Sequence, residues 1–349
     1  MLVPHPDDRA QDSFNVKGVQ ATVGYVSFVK NAPAAQNSAL VDVLLDQGAV
    51  MYVKTNLPQT MMTADSENNV FGRTLNPNNL NLTAGGSTGG EGALLKIRGS
   101  ILGVGTDIAG SVRIPALCNG VFGFKPTVGR IPFGGKTPPG RLGSPSSIVA
   151  SIGPEGHSIR DMELFMKTVL DTDPWLLDEG CISVPWRHVG SASQPLRLGL
   201  IMEDQKMPLH PSVLRTMTTA RKALEEAGHS VIPLDNDIPS MYATAILAWK
   251  FFLLDPAKTP LTYLNAVQEP FVASLASCRF PELDGYQPTL NEVFNMNVER
   301  RKIMKVYHDL VVKNKLDAII MPNYQATAVP HDTYGLPIYT VLPNVIDVS

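Results

Sequence analysis

Two clusters of glycine and hydroxyl residues stand out between Thr83 and Thr127, in the stretch TAGGSTGGEGALLKIRGSILGVGTDIAGSVRIPALCNGVFGFKPT. The first, Gly85 to Glu91, runs into the helix-like ALLKI and gathers bare backbone N–H groups and two hydroxyls at a helix start. Such a cradle suits a phosphate, but it lacks the GK[ST] ending of a P-loop, and GGSTGG is not the GxGxxG of a dinucleotide fold. The second cluster, Gly105 to Pro115, places Ser111 in a turn of small residues, 24 positions after Ser87. A serine nucleophile needs such a turn. Attack of its hydroxyl on an acyl carbonyl develops charge on oxygen, and backbone donors from Ile108 to Ser111 could stabilise that oxyanion by a few kcal/mol. Asp107 and Arg113 flank the turn and are expected to pair as a structural brace.

The flanking pattern predicts the frame that holds these clusters. Apolar positions from Leu40 to Leu45 recur at helical spacing, Gly48 follows as a cap, and Ala49 to Val53 reads as a buried strand. The same grammar returns in the helix Val213 to Ala227, its stop at Gly228 and the strand Ser230 to Leu234. Leu196 to Met202 and Ala318 to Met321 read as further interior strands, and Asn291 to Val312 as one long amphipathic helix. A helix opens at Ser158, where Ser158 to Asp161 resembles a capping box. The fold class is therefore α/β, a mixed sheet core covered by helices on both faces. Gly and Pro between Gly123 and Pro154 predict a long loop bordering a site, and the aromatic run Ala243 to Ala276 predicts core with part of a substrate channel. No linker or repeat divides residues 1–349, so a single domain is expected.

Composition narrows the function. With 29 Lys plus Arg against 32 Asp plus Glu, and no block of like charge, nucleic acid and anionic membrane surfaces are not expected partners. The apolar stretch Met241 to Leu254 is too short to span a bilayer, and the N-terminal residues do not form a secretory signal, so a cytoplasmic location is expected. Cys118, Cys181 and Cys278 are too scattered to hold zinc and are read as reduced thiols.

The two motifs together, GGSTGGE and GTDIAGS running on to GFKPT, resemble those of the amidase signature family, serine hydrolases that cleave carboxylic amides. The likeness runs from about Asp12 to VPHDTYGLPIY near the end, and it is greatest to fungal amidases. The resemblance implies the amidase signature fold, a mixed twisted sheet between helices, and a Ser-Ser-Lys triad. In it Ser111 would be the acyl-ester nucleophile, Ser87, across a cis peptide bond, its proton relay, and Ile108, Ala109, Gly110 and Ser111 the oxyanion hole. Met61 falls where the family makes a backbone contact to substrate. The expected partner is a small-molecule amide. No metal or other cofactor is implied, and a homo-oligomer is compatible with the reading.

The chain departs from the family at the base. Aligning Asp12 to Asn15 puts Gln11 in the place of the catalytic lysine, and an amide cannot take a proton at neutral pH. Lys17 is the nearest lysine, at a position where the family carries another. The preceding MLVPHPDDRA is polar, holds two prolines and predicts no strand. Ala109 replaces a glycine, which would strain the turn if a positive φ were needed there, and Thr88 replaces a serine. The domain is expected to be incomplete at both termini. Three functions follow: a hydrolase acting through Ser111, a catalytically silent amidase-like binding protein, or a truncated gene product.

Overall fold

The computed structural model describes residues 8–143, 147–190 and 194–349. Its strands are β1 (Asp8–Gln11), β2 (Met51–Thr55), β3 (Glu67–Asn68), β4 (Gly72–Arg73), β5 (Leu102–Asp107), β6 (Phe122–Gly123), β7 (Ser151–Gly156), β8 (Arg197–Leu200), β9 (Ser230–Pro233) and β10 (Ala318–Ile320). The helices are α1 (Ala39–Asp46), α2 (Gly89–Lys96), α3 (Arg113–Asn119), α4 (Ile159–Leu170), α5 (Pro211–Glu226), α6 (Met241–Phe252), α7 (Thr259–Asn265), α8 (Ser274–Ser277), α9 (Leu290–Asn314) and α10 (Ile338–Ile346).

A five-stranded mixed sheet, ordered β2-β1-β5-β7-β6, carries both glycine-serine clusters. Strand β1 runs parallel to β2 and β5, whereas β7 is antiparallel to β5 and β6. A second sheet, β10-β8-β9, is wholly parallel and packs with α6, α9 and α10 around a separate apolar cluster. The α/β class expected from the helix and strand grammar is the one observed.

Alternation along β5 explains how the larger sheet is covered on both faces. Val104 and its neighbour Ile152 on β7 point into an apolar layer with Leu40 and Leu44 of α1 and Phe165 and Val169 of α4. The intervening Gly103 and Gly105 point to the other face, where α2 lies against them. A Cβ on Gly103 would stand 2.2 Å from Glu91 Oε1, and one on Gly105 2.4 Å from Thr88 Oγ1. Only bare backbone lets the start of α2 sink onto the sheet.

The N-cap expected at Ser158 is present. Ser38 precedes α1, and Ser158 Oγ accepts from the N–H of Asp161 at the start of α4. Thr289 and Glu292 form a reciprocal capping box opening the long α9. The structure corrects two expectations. A strand does precede Gln11, because ladder pairing uses backbone groups and the backbone of Asp8–Gln11 is flanked by two parallel neighbours. Residues 1–7, the rest of that polar stretch, lie outside the described residues. The Gly and Pro expected to form loop up to Pro154 partly form β7. There a Cβ on Gly153 would meet Phe124 O at 1.9 Å, so glycine is what permits the approach.

The contact of α2 with β5 yields the first prediction. Gly105→Ala pushes Thr88, and Ser87 with it, off the sheet. The expected outcome is a loss of roughly 1–3 kcal/mol in urea unfolding.

Candidate active site

The two clusters meet at the C-terminal end of β5. Gly85, at φ +80°, lets the first loop lie against α3: a Cβ there would stand 2.8 Å from Pro115 Cα. The peptide bond between Gly86 and Ser87 is cis. Ser66 Oγ holds the loop from beneath, donating to Gly85 O at 3.0 Å and accepting from the N–H of Gly89 at 3.0 Å. The N–H of Thr88 donates to Ser111 O at 3.1 Å, which ties one cluster directly to the other.

Asp107, fully buried at the end of β5, organises the second turn. Its carboxylate accepts from the N–H of Gly110 at 2.8 Å and of Val112 at 3.2 Å. Arg113 closes a fork on it, Nε at 3.0 Å and Nη2 at 2.8 Å, so the expected brace is present. Burial alone would raise this carboxyl, but the guanidinium, with Asn344 adding a hydrogen bond, holds it below the ordinary carboxylate range. Because the N–H of Gly110 is taken by Asp107, the turn's donors without a hydrogen bond among the described residues are those of Ile108, Ala109 and Ser111. The positive φ falls on Gly110, at +123°, and not on Ala109, so the alanine is accommodated without strain. Thr340 of α10 donates to Ala109 O at 2.7 Å and fills the space a Cβ on Gly110 would need.

Gln11 ends β1 directly beside the first cluster and is fully buried. Its Nε2 donates to Ser87 Oγ at 3.1 Å and lies 3.4 Å from Thr88 Oγ1. Its Oε1 accepts from Thr106 Oγ1 at 3.0 Å and Ser13 Oγ at 3.3 Å. A carboxamide thus sits within hydrogen-bond reach of the Ser87 hydroxyl, supported by a ring of other hydroxyls. Lys17 is exposed and takes no part. Lys54, on β2, is committed to Asp12 at 2.9 Å.

A small cavity opens beside Ser111, bordered by Met61, Gly86, Ile108, Ala109, Trp249 and Cys278 among others. Met61 and its predecessor Thr60 both adopt positive φ, +58° and +65°, a costly pair for residues with side chains. Gln59 pins that loop: its Nε2 donates to Glu269 Oε1 at 2.6 Å and Pro270 O at 3.0 Å, and its Oε1 accepts from the N–H of Val272 at 3.1 Å. Sequence reasoning singled out Met61 but missed Gln59, whose partners lie some two hundred residues away. It also left Trp249 and Cys278 unassigned. Trp249 does fall in the aromatic run expected to contribute to a substrate channel. All three cysteines are free thiols.

Beneath the site lies an unusual acid. Glu155 of β7 is fully buried in register with Gly103, and neither carboxyl oxygen has a hydrogen-bond partner among the described residues. Burial first, then the nearby Glu91 and Asp107, push this carboxyl well above its ordinary value of 4.5, so the fold favours its neutral form. Above pH 4.5 the unfolded chain ionises this group while the folded one does not, and stability falls by about 1.4 kcal/mol per pH unit until the folded carboxyl titrates.

Two predictions follow from these carboxyls. Arg113→Ala leaves Asp107 buried without its counter-charge and is expected to cost roughly 3–5 kcal/mol in chemical denaturation. Glu155→Gln removes the ionisable group. Its stability advantage over the parent chain is expected to be smallest below pH 4.5 and to grow as pH rises, measured as the difference in Tm across a pH series.

Comparison with known proteins places this geometry. The family model for amidases matches residues 11–348. The chain is 36% identical to an amidase of Gibberella moniliformis, over 97% of this chain and 63% of that protein. It is 34% identical to an acetamidase of Aspergillus oryzae, again over 97% of this chain and 63% of the relative. Its fold superposes on the solved structure of a fatty acid amide hydrolase with a TM-score of 0.91 and 32% identity, covering 97% of this chain and 59% of the other. The chain therefore spans about three fifths of the length of these proteins. Among the described residues no helix is long and apolar enough to cross a membrane. The match over nearly every residue, together with the paired glycine-serine clusters at the end of β5, establishes that this chain belongs to the amidase family.

Proposed function

We propose that this chain carries an amide-hydrolase site that acts through an acyl-enzyme on Ser111. The observation that carries this reading is the juxtaposition of Ser87, preceded by a cis peptide, with the turn of Ser111 and its uncommitted N–H donors. In the proposed reaction Ser111 Oγ attacks the amide carbon, and the developing oxyanion is met by the N–H groups of Ile108, Ala109 and Ser111. The C–N bond then breaks and the amine leaves with a proton. Water cleaves the acyl ester, releasing a carboxylic acid and restoring the serine hydroxyl. Met61, which borders the same cavity, would orient the substrate through its backbone.

Gln11 sets the rate of this chemistry. Ser87 can accept the proton of Ser111 only as it passes its own onward, and the carboxamide that contacts it cannot take one. The proton must travel from Ser111 through Ser87 to the leaving nitrogen without a resting base. Slow turnover is expected. The hydrogen bond from Gln11 to Ser87 also favours a second reading, an amide-binding protein with a dormant nucleophile.

Intact mass after exposure to a fluorophosphonate separates the two readings. A single adduct that is lost in Ser111→Ala supports the hydrolase, whereas no adduct on folded protein supports the binding role. Because β1 already delivers residue 11 to Ser87, Gln11→Lys needs no further change to supply a base. Amide hydrolysis is expected to rise by roughly 10²–10⁴-fold, measured as kcat/KM for a chromogenic anilide. A Gln11→Lys protein no more active than the parent would remove the lysine's absence as the explanation for weak turnover.

A further inference from the structure

Backbone N–H groups can serve as oxyanion donors only if their amide planes are fixed, and in the turn of Ser111 the carbonyls are what is held. In a trans peptide the C=O and the N–H that follows it point in opposite directions, so a bond that holds the carbonyl also aims the N–H. The peptides of this turn are trans. Gly110 O accepts from the N–H of Ile114 at 2.7 Å, which aims the N–H of Ser111. Thr340 donates to Ala109 O at 2.7 Å, and the N–H of that peptide is the one Gly110 gives to Asp107. Asp107 O accepts from Asn344 Nδ2 at 3.2 Å, and the N–H across that peptide is that of Ile108. Resting on the reading above, we propose that Asn344 is a positioning residue that aims the Ile108 N–H at the oxyanion.

The side chain of Asn344 has the hydrogen-bonding capacity this task needs. Its Nδ2 serves Asp107 O and also Asp107 Oδ1, at 3.1 Å, while its Oδ1 accepts from Arg113 Nη2 at 2.7 Å. The carboxamide is buried and held at both ends, so it cannot swing away from the carbonyl it fixes. Thr340 and Asn344 stand four residues apart on α10 and therefore reach the turn from one face of that helix. The helix is seated in the apolar cluster around the second sheet by Ile338, Val341, Leu342 and Val345, and Arg300 of α9 donates to Val345 O at 2.7 Å. The turn of Ser111 follows a strand of the first sheet, yet the direction of its Ile108 donor is set by a helix anchored in the second.

The test is an NMR titration of the full chain, isotope-labelled at isoleucine nitrogen, with butyrate, a short carboxylate of the product class whose oxygen stands in for the oxyanion. The Ile108 amide proton is expected to move downfield in the parent and in Ser111→Ala alike, because this probe needs the donors and no nucleophile. Asn344→Leu keeps the volume and loses every hydrogen bond. Asn344→Asp keeps the acceptor for Arg113 and loses the donor to Asp107 O, so it separates that one contact from the rest. In both variants the Ile108 response is expected to vanish and butyrate to bind roughly tenfold more weakly. The amide of Ile152, in the apolar layer on the other face of the first sheet, is expected to keep its position, which a general loosening of the fold would not allow. An Ile108 amide that does not move in the parent, one that moves unchanged in a folded Asn344 variant, or unfolding of both variants would overturn the proposal. If Ile108 responds as expected while the parent forms no fluorophosphonate adduct, the positioning role stands and the acyl-enzyme reading fails. An adduct together with an Ile108 response indifferent to Asn344 fails the positioning role alone.

Discussion

A buried carboxylate at the end of a strand is tolerable only if its surroundings supply charge and donors, and Asp107 has gathered both from two parts of the chain. The guanidinium of Arg113 neutralises it, and the N–H groups of Gly110 and Val112 close the turn around it. Asn344, near the C-terminal end of α10, donates to both its carboxylate and its carbonyl. The same Asn344 accepts from Arg113 at 2.7 Å, so the last helix is locked to the turn of Ser111. The shape of the candidate oxyanion turn is thus a by-product of solving a solvation problem, and each donor spent on Asp107 helps to fix where the remaining ones point.

The second constraint is steric. Gly103 and Gly105 leave a shallow trough on β5 into which Glu91 and Thr88 press, and this brings Ser87 down to Gln11. A cost is visible in the same place, because the packing leaves Glu155 without a partner close to Glu91 and Asp107. A raised Glu155 carboxyl draws on stability above pH 4.5, while the trough that surrounds it is what sets Ser87 against the sheet.

Local signals account for what the sequence made legible. The cap at Ser158 acts within one helical turn, and the glycines of the two clusters announce turns wherever they occur. Such features carry the α/β class, the helix positions and the Asp107–Arg113 brace. Features that depend on distant partners were not legible. Strand β1 is polar and is defined by neighbours on both sides rather than by its own pattern. The pin from Gln59 reaches Glu269 and Val272, and Trp249, from the cluster around the second sheet, borders the same cavity as Ser111. An alternation of apolar residues cannot say which member of an aromatic run faces a cavity and which faces core.

Gln11 is held by its neighbours independently of any chemistry at the site. Its carboxamide offers donors on one side and an acceptor on the other, and the pocket supplies four hydroxyls, from Ser87, Thr88, Thr106 and Ser13, that can match either polarity. Hydroxyls rotate to suit their neighbour, so the carboxamide of Gln11 has both its nitrogen and its oxygen hydrogen-bonded. The glycine trough is held by packing and the Asp107 turn by hydrogen bonding, neither of which requires a proton to move. A hydrogen-bond network built of hydroxyls is therefore permissive toward an amide at position 11 and equally toward an ammonium.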